Sequence, residues 1–321
     1  MATATLPRAT RFSGRASILR RAFSGDSLAQ ALVFLCATGI LALTALLVWE
    51  LWTRSALSRA TFGFDFLRTG TWDPVAGNFG ALPFIYGTVV TSAVGLFIAI
   101  PFGVGAAIFL AELAPPKLSD AMTFLIELLA AVPSVIFGLL GIFVLVPMLM
   151  KIVPGLKDAL GVLPIFSGPF YGVSLLSAGV VLSVMVAPYI ISVSREVLLA
   201  VPRDMREAAL AVGATRWETT WDIVVPHARR GIMGSIFLAL ARALGETMAV
   251  TMVVGNTPKI AASLLAPGYS IAAVIANEFA EATSDLHIST LVELGLVLFG
   301  ITIVLNGAAR LLILATGRKA G

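Results

Sequence analysis

Two charged residues four apart in an apolar stretch, Arg242 and Glu246, carry the most chemistry in this chain of 321 residues. Counted from an apolar run that starts near Ile232, a helix rising about 1.5 Å per residue places Arg242 about 15 Å into a hydrocarbon layer about 30 Å thick. An arginine at that depth costs about 2.5–3.5 kcal/mol even on the lenient insertion scale, so something must compensate it. Glu246 falls on the same helical face one turn later, within reach of a pair. Two readings stay open. Either the two form a structural ion pair that lets the helix insert, or Arg242 faces an aqueous pathway and attracts an anion while Glu246 tunes its availability. Arginine suits phosphate or carboxylate because its planar fork stays charged and offers paired donors. Gly245, Thr247, Thr251 and then Gly255-Asn256-Thr257 would let a polar solute approach this helix.

The second constellation is Arg203 to Pro226, RDMREAALAVGATRWETTWDIVVP, the longest charged, helix-friendly segment of an oily sequence. Glu207-Ala208-Ala209 is followed four residues on by Gly213, and nine residues then intervene before Ile223-Val224-Val225-Pro226. A short helix that docks into a groove on another protein needs small residues where backbones approach, here Ala208, Ala209 and Ala211. It also needs a turn of positive φ, here Gly213, and a stop, here Pro226. The alternative is an amphipathic hairpin lying on a membrane surface with no partner.

These residues must be positioned by membrane helices. The chain is 58% hydrophobic and 12% charged, more apolar surface than a soluble domain of this length can hide. Runs long enough to span appear near 28–52, 85–110, 124–150, 173–193, 232–255 and 290–316, so the sequence predicts an all-α polytopic membrane protein with about six transmembrane helices. The first run is too long for a signal-peptide core and is read as a retained helix. Pro101 and Pro133 lie inside the second and third runs, Gly103 and Gly105 are packing material, and Glu127 and Glu293 are read as helix-end or packing residues. Residues 260–277 are uncharged but broken by Pro267-Gly268, which favours a re-entrant or outer helical segment over a seventh span.

Several function classes are excluded. No GxxxxGK[ST] loop occurs, and no Ser/His/Asp or Cys/His set or paired catalytic carboxylates emerge, so ATP chemistry, if used, belongs to another subunit. Cys36 is a single cysteine read as apolar filler, and His227 and His287 lack partners at metal-ligand spacing. No basic stripe carries interleaved aromatics, so no nucleic acid is expected.

Charge sets the orientation. With the N-terminus inside, fifteen lysines and arginines fall in cytoplasmic segments and six in outer ones, which puts both termini and the 203–226 loop in the cytoplasm. The organisation expected is a cytoplasmic tail at 1–27, partly disordered, a first helix at 28–52, a periplasmic loop at 53–84, a core at 85–316 and a tail at 317–321. The periplasmic loop carries Trp72, Asp73, Pro74 and Phe79 among several phenylalanines, either as an interfacial aromatic belt or as a docking platform for an extracytoplasmic partner.

The stretches WDP at 72–74, FGALPFIYGT at 79–88, LLAAVPSVIFGLLG at 128–141, the loop at 207–226 and ARALGETMAVTMVVGNT at 241–257 resemble the permease subunits of Pst-type phosphate ABC importers, on the PstC-like side. The resemblance covers roughly residues 60–316 and implies the type I ABC importer permease (MetI-like) fold in a bacterial inner membrane. It implies a second, PstA-like permease, two PstB-like ATPase subunits that bind ATP and Mg2+, and a PstS-like phosphate-binding protein outside, docking near Trp72, Asp73 and Phe79. This chain itself is expected to hold no cofactor or metal, and to touch lipid. Carried over by position, Glu207, Ala208, Ala209, Gly213, Ile223 and Pro226 couple to the ATPase, with Val225 where the motif usually has leucine. Arg242 and Glu246 match the charged positions implicated in phosphate passage. The rivals are another oxyanion (sulfate, molybdate or phosphonate), an ion-coupled secondary transporter or channel, and a non-transporting scaffold or sensor.

Overall fold

A computed structural model describes residues 25–160 and 163–317. Among these residues there are no strands, only one isolated bridge between Asp73 and Asn78. The chain divides into two compact units, residues 1–53 and 54–321. The first contributes helix α1, Gly25–Arg54, whose apolar side chains are exposed from residue 29 to residue 47, as a helix bathed in lipid requires. Cys36 is among the exposed residues, so it does not fill a core as expected. The expected tails at 1–27 and 317–321 lie almost wholly outside the described residues.

The second unit holds α2 (Ala56–Phe62), α3 (Leu82–Ile108), α4 (Pro116–Ala130), α5 (Ser134–Leu140), α6 (Val146–Leu160), α7 (Leu175–Leu199), α8 (Arg203–Ala211), one turn of α9 (Arg216–Glu218), α10 (Val225–Leu244), α11 (Met248–Val253), α12 (Ile271–Glu278) and α13 (Asp285–Gly317). Helices α3 and α7 pack most extensively. They approach closely because small residues face each other: a Cβ on Gly95 would lie 3.2 Å from the Gly179 carbonyl oxygen, and one on Gly103 2.9 Å from Ile190. Without a hydrophobic drive between helices in lipid, such close backbone packing supplies the attraction. Buried Ser194 and Ser235, 2.7 Å apart, join α7 to α10.

Six helical runs among the described residues are long and apolar enough to cross a membrane: Ala29–Arg54, Leu82–Leu113, Ser134–Asp158, Leu175–Leu199, Arg216–Leu244 and Asp285–Leu311. The number agrees with the sequence reading, but two spans are shifted. The third was expected at 124–150, yet the chain leaves the helix at Ala131–Pro133, because a proline disfavours helical geometry in the residue before it. Pro133 therefore sits outside the span, and α4 is a separate helix. The fifth was expected at 232–255. It instead starts in the charged loop and ends at Leu244, where Gly245 closes it. Within 260–277, only α12 is helical. Residues 254–269 form irregular, non-helical backbone, and the amides of Leu175 and Leu176 donate to the carbonyls of Ala266 and Leu264 at 3.1 and 2.8 Å. A segment buried in protein can thereby carry non-helical backbone.

Candidate substrate pathway and coupling loop

The fifth span is broken where its charges lie. Arg242 occupies the last turn of α10, Gly245 takes φ −93° and ψ 0°, and α11 starts only at Met248. The Glu246 carboxylate accepts from the Ala249 amide at 3.3 Å, capping α11 rather than pairing with Arg242. Each charge thus sits at the helix end whose dipole it complements, the cation at a C-terminus and the anion at an N-terminus. The expected continuous face with the two residues one turn apart does not form, since Gly245 and the side-chain cap offer the backbone an alternative to helical hydrogen bonds. No ion pair joins Arg242 to a carboxylate among the described residues. Its guanidinium carbon instead stands 4.4 Å from the centre of the Tyr189 ring, on α7, and its buried Nε–H has no acceptor.

The other expected pathway residues cluster around this break. Thr251 donates to the Thr247 carbonyl at 2.7 Å, and the Asn256 amide to the Thr251 carbonyl at 3.0 Å. Asn256 is exposed and adopts φ +46°, following Gly255 at φ +95°. A left-handed pair of this kind turns the chain after α11 into the irregular segment that follows. Of the two carboxylates expected in or near apolar runs, Glu293 is buried inside the last span with one oxygen lacking a partner, whereas Glu127 is exposed.

The loop from Arg203 is built from two matched caps. Helix α8 ends with Gly213 at φ +94°, the Ala214 amide donating to the Ala209 carbonyl and the Gly213 amide to that of Leu210, which is the Schellman pattern. Thr215 and Glu218 then form a capping box that starts the next helix. That helix does not stop at Pro226. It passes through a π-helical turn at Thr219–Val224 and on into α10, with Pro226 in the first turn beyond. A ring without an N–H is tolerated next to such a turn, which explains why the expected terminator is not one. Glu207, Ala208 and Gly213 are exposed, Ala209 is half-buried, and Ile223 is half-buried against the bundle. Beside them Val212 is 86% exposed, and the exposed Trp217 and Trp221 meet edge to face with ring centres 5.6 Å apart.

Sequence reasoning missed the residue that fastens this loop. Arg206 reaches Glu112, at the end of the second span, with Nη2 2.8 Å from Oε1, and also donates to the Leu198 carbonyl at 2.7 Å at the end of α7. A lone acid closing an apolar run, with a charged loop carrying Arg203 and Arg206 elsewhere in the chain, was the available signal.

At the opposite end of the bundle, the Asp73 carboxylate accepts from the amides of Val75 and Ala76, both at 3.0 Å, and shapes a tight hairpin closed by the Asp73–Asn78 bridge. Val75 at its tip is 99% exposed. Trp72 points inward: its indole donates to Glu278 at 2.9 Å, and its ring meets Phe79 and Phe84 edge-on. The same Glu278 oxygen lies 3.1 Å from His287 Nε2. Phe79, expected on the docking surface, is 2% exposed and stacked on His287, so its area is spent in this core and none is offered to a partner.

Comparison with known proteins fits this geometry. Residues 99–316 match the family described as "binding-protein-dependent transport system inner membrane component". The chain belongs to that family. The matched segment holds the loop, the broken fifth span and Tyr189, and leaves out α1, α2 and the hairpin. Relatives within reach are phosphate transport system permease proteins PstC. One from Mesorhizobium japonicum is 43% identical, covering 96% of both chains. One from Xylella fastidiosa is 48% identical over 81% of each, and one from Haemophilus influenzae 46% identical over 88% of this chain and 89% of its own. Among solved structures, an inward-facing MetNI methionine ABC transporter aligns with TM-score 0.52 at 17% identity, covering 72% of this chain and 93% of that one. That likeness gives the fold alone, a multi-pass helical bundle, while the family match and the PstC relatives give the role of an ABC transporter permease.

Proposed function

We propose that this chain is the membrane permease subunit of an ATP-driven, binding-protein-dependent importer of inorganic phosphate. Its PstC relatives, similar over nearly the whole length, and the arginine at the break support phosphate as the solute. The observation that carries the mechanism is the single helical run Arg216–Leu244 of 29 residues, which joins the exposed loop to Arg242. At about 1.5 Å per residue such a run is about 43 Å long, and it stays helical through the π-helical turn at Thr219–Val224, so a push on the loop reaches Arg242 along one helical path.

In this reading both termini and the loop face the cytoplasm. ATPase subunits, which bind ATP and Mg2+, seat on the exposed face of α8 at Glu207 and Ala208. A second permease completes the pathway, and an extracytoplasmic phosphate-binding protein delivers its load beside the hairpin at Asp73. ATP-driven closure rocks this helical run, and Arg242 opens first to the outside and then to the cytoplasm. The reading is tested by uptake of radiolabelled phosphate into vesicles holding the assembled importer. Arg242→Gln is expected to abolish uptake with assembly intact. Unchanged uptake would remove Arg242 from the pathway, and equal competition by sulfate or molybdate would reassign the anion.

A further inference from the structure

Arg242 needs compensation inside the membrane, and it takes this from an aromatic ring. The distinction matters chemically. A carboxylate partner would neutralise the guanidinium and occupy its N–H donors, leaving no net charge to draw an anion. A ring face attracts the cation through its quadrupole, cancels no charge and leaves the donors open. The buried, partnerless Nε–H of Arg242 is such an open donor. The nearest carboxylate in sequence, Glu246, is engaged by the Ala249 amide. The Tyr189 ring is itself fixed: its hydroxyl donates to the carbonyl of Ala130, the last residue of α4, at 3.1 Å. The far end of α4 is held to the same helix α7 by Arg195, which donates to Ser119 at 3.1 Å and lies 3.9 Å from Asp120.

We propose that Tyr189 is a positioning residue that keeps Arg242 off Glu246 and so keeps its charge and donors available to an oxyanion. The inference rests on the pathway reading of Arg242. The hydroxyl contact to Ala130 makes the placement of the ring depend on α4, so a movement of α4 during transport would change how Arg242 is presented.

The test replaces Tyr189 in the assembled importer with phenylalanine and then with phenylalanines carrying one, two and three ring fluorines, which drain the quadrupole at nearly constant size. Uptake per assembled complex is measured in vesicles. The expectation is that phenylalanine keeps most of the uptake and that fluorination lowers it stepwise. Tyr189→Met should lose roughly three- to thirtyfold, the range a partly buried cation–π contact spans. Adding Glu246→Gln to Tyr189→Met should restore part of the loss, because the competing carboxylate is gone while an oxygen remains to cap α11. A flat response across the fluorinated series, or no recovery from Glu246→Gln, would overturn the proposal. The two readings separate cleanly: if Arg242→Gln abolishes uptake and the fluorinated series is flat, only the role of Tyr189 fails. If Arg242→Gln transports normally, the pathway itself fails.

Discussion

Arg206 and Glu112, 94 residues apart in sequence, meet at 2.8 Å in a largely buried ion pair that ties the loop helix to the end of the second span. The same guanidinium closes the C-terminal end of α7 through the Leu198 carbonyl, where a cation is favoured by the helix dipole. One side chain therefore fastens three elements, so a push on α8 is transmitted to two spans as well as along the helical run to Arg242.

Arg206→Met is expected to cost about 3–5 kcal/mol, the penalty of leaving a buried charge unpaired. Adding Glu112→Gln should recover a large part of it. Thermal unfolding of the purified importer reads this directly, and a single variant as stable as the parent would show that the pair is ornamental.

Glu207→Lys should leave the permease folded, since Glu207 is exposed and surface changes of this kind stay within about 0.5 kcal/mol. Its effect is expected on assembly: the ATPase should no longer co-purify. Normal recovery of the ATPase would move the docking surface elsewhere, with exposed Val212 and Trp217 the next residues to alter.

Two glycines in the second span should respond in opposite ways to alanine. A Cβ on Gly87 would stand 2.1 Å from the Tyr269 carbonyl oxygen, whereas one on Gly105 meets nothing within 4 Å. Gly87→Ala must displace the backbone at Tyr269 and should destabilise by about 1–3 kcal/mol or more. Gly105→Ala should be neutral or stabilising by up to about 1 kcal/mol through helix propensity. Melting temperatures of the two variants in one detergent decide the matter.

Trp72→Phe keeps the ring contacts with Phe79 and Phe84 but removes the indole donor to Glu278. The expected loss is about 1–3 kcal/mol, seen as a lower melting temperature. If binding-protein affinity fell while the melting temperature held, Trp72 would be a docking residue after all.

Much of the molecule was legible in the linear chain because its signals are local. Apolar length counts spans without reference to any neighbour, and it returned six. The glycine at 213 announces a positive φ because few other residues adopt one. Two span boundaries were misplaced for a related reason. Hydropathy registers apolar composition, while Pro133 and the Gly245–Glu246 pair act on the backbone and interrupt runs that remain apolar across the break.

What the sequence determined by itself was the class of solvent, the existence of a charged loop and the presence of one arginine too costly to be accidental. What only the tertiary structure decided was each charge's partner. Arg206 belongs with Glu112 and Arg242 with Tyr189, pairings set by which helices cross, while the spacing of Arg242 and Glu246 pointed to a pair that the broken helix does not make. The burial of Phe79 was decided the same way, since an aromatic near a membrane surface reads alike whether it faces a partner or a core. Charge and hydropathy are carried by single residues, but the compensation of a buried charge is a property of distance between elements, and that distance exists only once the helices have packed.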